Sequence, residues 1–291
     1  MYPTNFDYHR ARTLSDAQKL MAANPGAKLL AGGHSLLPLL KLRLASPPAL
    51  IDIGRVPELR GITRQSDHIR IGGLTTHAEL AASADVRAGA PALAEAAALV
   101  GDPGVRNRGT IGGNVAHADP ASDLPTVLVA LDAKMVVAGP AGERTIPAEG
   151  FFTGIMTTAL AEDEILVAVL VPTVGNGQGS AYVKFAHPAS RYAVVGAAAL
   201  VTVARGNIAA ARVAIGGLVP NARRASAVER ALAGASASDG TAATAAQQVA
   251  ADLGSDVSGD LFASAEYRSA IAPVYVRRAL AAAFARAVRT S

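Results

Sequence analysis

Two stretches of this chain set a pair of glycines close to a hydroxyl residue and an apolar one. The first stretch is Leu29–Leu37, LLAGGHSLL, and the second is Arg108–Asn114, RGTIGGN, continuing as VAHADPASDLP. Glycine lets a backbone approach a ligand closely and adopt positive φ. Successive free N–H groups in such a turn form a concave anion site, and a helix start just beyond adds the favourable end of a dipole. In the first stretch a strand-like run meets Gly32 and Gly33, Ser35 can donate a hydroxyl hydrogen bond, and a helix-like segment follows. Taken alone it reads equally well as a β-turn. It holds no lysine and lacks the GxGxxG spacing, so it is neither a P-loop nor a Rossmann turn. In the second stretch Asn114 brings an amide that both donates and accepts. Asp123 lies nine residues on, at the mouth of a helix-like run, where it could cap the helix or accept bonds from sugar or ribitol hydroxyls. Two uncharged glycine loops together suit a diphosphate bridging two organic groups.

Length and composition limit what such loops can serve. At 291 residues the chain has room for about two domains, and 51% apolar content is enough for a sizeable core. It has no cysteine, which excludes a disulfide framework, a cysteine nucleophile and a cysteine-ligated zinc or iron–sulfur site. That also suits a reducing compartment. The net charge of +4 is scattered, with Arg223–Arg224 and Arg277–Arg278 the densest pairs. No basic stripe interleaves with aromatics, so nucleic-acid binding is not expected. The opening MYPTNFDYHR has no apolar run and is not a signal peptide. The longest apolar stretch, Gly196–Ala204, is about half of the ~18 residues a span needs. A soluble, cytoplasmic chain without a membrane span is expected.

Strand-like runs are Ala27–Ala31, Leu50–Ile53, His68–Ile71, Lys134–Ala138, Glu164–Val171, Ala181–Phe185, Tyr192–Val203 and Ile208–Ile215, the last two joined by ARGN as a hairpin. Helices are expected over His77–Ala82, capped by Thr76, and over Ala92–Val100, Leu124–Asp132, Ala222–Leu232, Thr241–Leu253 and Tyr267–Val288, with Pro273 in the first turns of the last. A boundary falls near Pro172–Ser180, PTVGNGQGS, where Gly, Asn and Pro cluster. Glycine pairs recur at Gly32–Gly33, Gly72–Gly73 and Gly112–Gly113, forty residues apart, but their flanks do not match, so the spacing reads as chance and not as a repeat.

LLAGGHSLLPLLKLR, RGTIGGNVAHADPASDLP and the pair EILVAVLVP…AYVKF together resemble the FAD-binding medium subunit of molybdenum hydroxylases, the family of carbon monoxide dehydrogenase flavoproteins and of the xanthine dehydrogenase flavin domain. The resemblance covers essentially the whole chain. It implies an α+β fold: a two-lobed vanillyl-alcohol-oxidase (PCMH)-type FAD-binding domain over residues 1–175, its lobes about 1–55 and 56–175, then a small α+β C-terminal domain over 176–291. By position it implies that Leu29, Leu30, Ala31, Gly32, Gly33, His34, Ser35 and Leu36 form the first FAD loop, with Gly32, Gly33, His34 and Ser35 against the diphosphate. Thr110, Ile111, Gly112, Gly113 and Asn114 would form the second loop, and Asp123 would bind cofactor hydroxyls. Leu166 would line the flavin, Lys184 would sit near its polar edge, and Tyr192 would lie beside the ring. From the residues alone, Lys184 could equally be a solvated strand residue and Tyr192 core packing.

No catalytic residue and no metal ligand is expected in this chain. His9, His68, His77 and His187 lack ligand spacing, His34 could contact backbone or phosphate, and His117 reads as loop-stabilising. HExxH and GxSxG are absent, and Ser35 has no evident His–Asp partners. The resemblance implies an electron-transferring oxidoreductase subunit. Substrate would be oxidised on a large molybdopterin-binding subunit. Electrons would pass through a small 2Fe–2S subunit to FAD here and onward to an external acceptor. The missing cysteines fit that division of labour. Two rivals are a free-standing FAD-dependent reductase on the same fold and an interaction subunit with a decayed flavin site. The first lacks an obvious acid and cationic clamp in the C-terminal region. The second conflicts with the intact glycines and hydroxyls.

Overall fold

The structure, a computed structural model, describes residues 2–290. Three larger sheets organise it, beside a two-stranded one of Phe152–Gly154 and Thr157–Thr158. The first is a small parallel sheet in which Ala49–Asp52 lies between Asp7–Arg10 and Lys28–Leu30. ALID is mostly buried, as a central parallel strand covered on both faces must be. The helix Leu14–Ala23 crosses between the outer strands, its start capped by the Thr13 side chain, which accepts from the Asp16 N–H. The first glycine stretch leaves this sheet at Leu30 and enters the short helix Leu36–Lys41.

The second sheet is antiparallel, ordered Ile62–Arg64, His68–Gly72, Ile165–Pro172, Lys134–Gly139 and Gly142–Pro147. Its central strand, ILVAVLVP, comes last in sequence and closes the sheet around a block of six helices between residues 77 and 130. That block and one face of the sheet share the largest core, built on Ile69, Ile71, Leu80, Leu93, Ile111, Leu124, Leu128 and Phe151. Thr76 caps His77–Ala82 through a full capping box with Glu79.

The third sheet pairs Gln178–Ala186, Ala193–Ala204, Asn207–Gly216 and the short Arg223–Arg224, all antiparallel. The expected hairpin forms at ARGN: Ala204 pairs with Asn207, and Arg205 and Gly206 take φ of 52° and 79° across the turn. The long helix Ala265–Thr290 lies on this sheet and shares its core with Val195, Val201, Val213 and Ile215.

Several expectations need correcting. Pro273 is not in the first turns of the last helix. The helix starts at Ala265 and carries Pro273 in its interior. Thr241–Leu253 is two helices, Asp239–Ala246 and Val249–Leu253. The helix expected from Ala222 begins at Ser226, because Arg223 and Arg224 pair as an edge strand. The second glycine stretch is not a loop: Ile111–His117 is helical, with Thr110 as its N-cap. The strand Gly142–Pro147, GERTIP, gives no signal in the sequence, because it lacks an apolar run and only Ile146 of it is buried.

Candidate cofactor site

The first glycine stretch is an open backbone cradle. Gly33 sits at φ +79°, in the left-handed region, and turns the chain from the strand Lys28–Leu30 toward the helix at Leu36. Among the described residues, the N–H groups of Gly32, Gly33, His34 and Ser35 meet no protein acceptor. The Ser35 hydroxyl makes no capping bond, and His34 is exposed at the rim of the turn. Leu29 and Leu30 end the strand, Leu30 O accepting from the Ile53 N–H at 3.0 Å. Ala31 and Gly32 line a cavity of about 270 Å³ together with Arg10, Asp52, Arg55 and Arg108. Three arginines on the wall of a cavity that Gly32, the first of the free N–H donors, also lines make this a place for an anion.

The second stretch approaches the first backbone to backbone. A Cβ at residue 32 would come 2.1 Å from the Arg108 carbonyl oxygen, so only glycine fits there. Two residues on, Thr110 caps the helix Ile111–His117, its Oγ1 accepting from the Gly113 N–H at 3.1 Å. The remaining N–H groups of that first turn are also spent within the protein: Ile111 on Thr75 O at 2.9 Å, Gly112 on Gly73 O at 2.8 Å and Asn114 on Thr110 O at 3.0 Å. This stretch therefore offers a bare glycine surface at the exposed Gly113, together with the Asn114 amide, rather than a second row of backbone donors. Asn114 Oδ1 is held by the Ser122 hydroxyl at 2.8 Å.

Gly73, of the Gly72–Gly73 pair, is what joins the second stretch to the sheet. A Cβ on Gly112 would meet Gly73 O at 2.6 Å, and one on Gly73 would meet Leu166 O at 2.6 Å. Leu166 is thereby brought up to the second stretch, with its side chain in the main core. The signal for Gly73 is a third Gly-Gly at a strand end. Arg10, Arg55 and Arg108 are further residues that sequence reasoning did not single out. Of these only Arg108, beside the second motif, has a local signal.

His77 backs the second stretch. It is buried, its backbone N–H donates to Gly109 O at 3.0 Å, and its Nδ1 has no partner among the described residues. Burial, and after it the nearby charges of His34 and Arg106, push its imidazole down to about 4.

Asp123 opens the buried helix Asp123–Ala130, immediately after Ser122. Its carboxylate accepts from the Tyr182 hydroxyl at 2.6 Å and from Lys184 Nζ at 2.9 Å. Both members of the ion pair are buried, with side chains 5% and 2% exposed. Burial raises the Asp123 carboxyl, against the opposing pull of Lys184 and the Tyr182 bond, and pushes the Tyr182 phenol well above its ordinary value. Lys184 is thus no solvated strand residue. Tyr192 lies beyond, 44% exposed, on the wall of a second cavity of about 270 Å³ with Asp119, His187, Asp260 and Arg268. Burial and the charges of Asp119 and Asp123 raise its phenol. A continuous string of contacts therefore runs from Gly32 through Arg108, Thr110, Asn114, Ser122, Asp123 and Lys184 to the turn before Tyr192.

Residues 4–174 match the model of the FAD binding domain in molybdopterin dehydrogenase, and residues 180–283 match the CO dehydrogenase flavoprotein C-terminal domain. The chain belongs to the FAD-binding medium subunits of the molybdenum hydroxylases. It is 42% identical over 289 residues to the carbon monoxide dehydrogenase medium chain of Hydrogenophaga pseudoflava, covering 98% of this chain and 99% of that one. It is 37% identical over 279 residues to the nicotine 6-hydroxylase medium subunit of Paenarthrobacter nicotinovorans, covering 96% and 97%. Its fold superposes with a TM-score of 0.94 on a chain of the Hydrogenophaga pseudoflava carbon monoxide dehydrogenase that lacks the Mo-pyranopterin moiety, at 43% identity, covering 98% and 99%.

The protein is an oxidoreductase subunit of the α+β flavoprotein fold. It binds FAD and serves electron transfer within a multi-subunit enzyme. The residues present fit that cofactor, because the open N–H run beside three arginines is the donor set a diphosphate needs. Among the described residues no group of His, Asp or Glu is arranged to hold a metal ion, and no helix is long and apolar enough to cross a membrane.

Proposed function

We propose that Leu29–Leu36 seat the FAD diphosphate, with the N–H groups of Gly32, Gly33, His34 and Ser35 as its donors. The helix start Thr110–Asn114 walls the other side, where the bare face of Gly113 leaves room and the Asn114 amide orients the ligand. Leu166 lines the flavin, Tyr192 lies beside its ring, and Asp123 and Lys184 complete the ring end of the site. The observation that carries this reading is the unsatisfied N–H run from Gly32 to Ser35, whose first member stands on the wall of the arginine-lined cavity. Bound FAD supplies the chemistry that joins one-electron donors to a two-electron acceptor. The protein's part is to hold it and leave one edge accessible.

On this reading the donor is a small 2Fe–2S subunit and the substrate is oxidised on a large molybdopterin-binding subunit. Electrons leave this chain for an external acceptor, all in the cytoplasm. The relatives support substrate choice elsewhere: one is named for carbon monoxide and another for nicotine, yet both align along nearly the full length. The cysteine-free sequence supports clusters held on another chain and a reducing compartment. We place the cofactor domain at 1–175, with lobes about 1–55 and 56–175, and the second domain at 176–291. The spans of the two matching family models support that division.

The test is reconstitution. The purified chain mixed with FAD should retain a shifted flavin spectrum through a desalting column. Gly113→Val should fold normally, because a Cβ there meets only Thr110 Oγ1 at 3.0 Å, yet it should fail to retain flavin. Full retention by that variant would remove the second stretch from the site.

A further inference from the structure

Lys184 is the most heavily committed side chain near the ring end of the site. Its ammonium has three protons. Three acceptors stand around it: Asp123 Oδ2 at 2.9 Å, Leu99 O at 2.9 Å and Arg191 O at 2.6 Å. Asp123 is fixed by the helix it opens and by Tyr182, and Leu99 closes the helix Pro91–Leu99. The third acceptor is different in kind. Arg191 lies in the exposed connection between the strands Gln178–Ala186 and Ala193–Ala204, and it holds a φ of +60°. That is the left-handed region, costly for a side-chain-bearing residue and kept only where the surroundings enforce it.

The connection is a closed turn. The Arg191 N–H donates to His187 O and the His187 N–H to Tyr192 O, each at 2.8 Å. His187 Nδ1 accepts from the Ala189 and Ser190 N–H groups at 3.2 and 3.3 Å. Lys184 Nζ makes a bond from the buried body of the protein into this turn, directly before Tyr192. The next residue, Ala193, is anchored by its N–H to Ala121 O at 3.0 Å. Tyr192 therefore hangs between two fixed points, and it lines the second cavity.

We infer that Lys184, held by Asp123, is a positioning residue: it pins the left-handed corner at Arg191 and so sets the Tyr192 ring against the flavin. The inference rests on the reading of Tyr192 as the ring's neighbour. The buried pair acts through the turn, and removing the pin loosens Tyr192 without opening the diphosphate cradle.

The test uses the full chain and four variants. Lys184→Met removes the pin but strands the Asp123 carboxylate in a buried site, which destabilises the protein as a whole. Lys184→Met/Asp123→Asn removes both charges, and stability should largely return. Amide hydrogen exchange is then followed over residues 187–193 without cofactor. Exchange there should be about tenfold faster than native in both variants, while the Ile111–His117 helix exchanges as before in the double variant. With FAD bound, fluorescence should rise severalfold in the double variant, toward the level of Tyr192→Leu, because a tyrosine ring against a flavin quenches its emission. Adding Tyr192→Leu to the double variant should give no further rise. If Lys184→Met fails to fold, the double variant carries the measurement alone. Native-like exchange at 187–193 in the double variant overturns the pin, whatever Tyr192→Leu does. Unchanged fluorescence in Tyr192→Leu itself overturns the placement of the ring, and with it the functional part of the inference.

Discussion

Neighbouring glycines in the first cradle serve different purposes, and substitution separates them. A methyl on Gly32 would stand 2.1 Å from the backbone oxygen of Arg108, and neither chain can yield without parting the two stretches. A methyl on Gly33 would meet the Leu37 Cδ1 at 2.9 Å, a side-chain end that can move, and would bear the left-handed strain of about 1–2 kcal/mol. Gly32→Ala should therefore lose FAD retention on desalting, whereas Gly33→Ala should retain flavin with weakened affinity. The reverse ranking would mean that the contact with Arg108 does not shape the site. His77 makes a second prediction at this scale. Its imidazole titrates near 6.5 when unfolded and near 4 when folded, so the unfolded chain binds the extra proton between those values. Stability is then fully present above about pH 6.5 and falls by about 3 kcal/mol as pH drops to 4. Urea midpoints between pH 7.5 and 5 should show this slope, and His77→Leu should flatten it. An equal slope in that variant would assign the effect to other groups. Nothing in TTHAEL marks His77 as special, because its burial comes from Gly109, thirty-odd positions away in sequence.

Elements differ in how openly the sequence announces them. The first glycine stretch is legible because a strand and an apolar helix flank it. The other stretch reads as a loop, since two glycines in a helix cost about 1 kcal/mol each. The helix forms there because Thr110 caps it and because Gly112 can lie against the backbone of Gly73, where a Cβ would meet Gly73 O at 2.6 Å. Packing against a distant strand decides the matter, and no local pattern shows that. The cap can be measured. Thr110→Ala should cost about 1 kcal/mol and weaken FAD binding, and Thr110→Ser should restore both. A neutral Thr110→Ala would show the helix start to be held by Gly73 alone. Pro273 gives the converse case. It removes one main-chain bond from inside the helix Ala265–Thr290, which survives because its buried face, including Ala272, Val276 and Leu280, packs on the third sheet. Pro273→Ala should raise the urea midpoint, since the regained bond outweighs the ~0.4–1 kcal/mol by which proline stiffens the unfolded chain.

At the scale of the molecule, the third sheet belongs to both halves of the chain. Along its strands, Tyr182, Ala198 and Ala214 turn into the core built by the helices of residues 77–130, while Ala181, Ala197, Ala199 and Val213 turn toward the long C-terminal helix. The sequence hints at this: Tyr192–Val203 is apolar at nearly every position, the mark of a strand covered on both faces. It does not say what covers the first face, because those helices lie about a hundred residues earlier. Polar links reinforce the seam. Glu95 accepts from the Tyr182 N–H at 3.1 Å and pairs with Arg286, and the Ser180 hydroxyl accepts from the Ala92 N–H at 3.4 Å. A chain so joined should unfold in one calorimetric transition despite matching two family models. Glu95→Ala leaves the buried Tyr182 N–H without its acceptor, so it should lower that transition by about 1–3 kcal/mol while keeping it single. Two separated transitions, with the substitution moving only one, would mean that the halves fold apart and that the shared sheet face is a docking surface instead of a common core. That distinction reaches the function, because Asp123 and Lys184 meet across the same seam. A molecule that unfolds as one unit keeps the ring end of its cofactor site assembled for as long as either half stays folded.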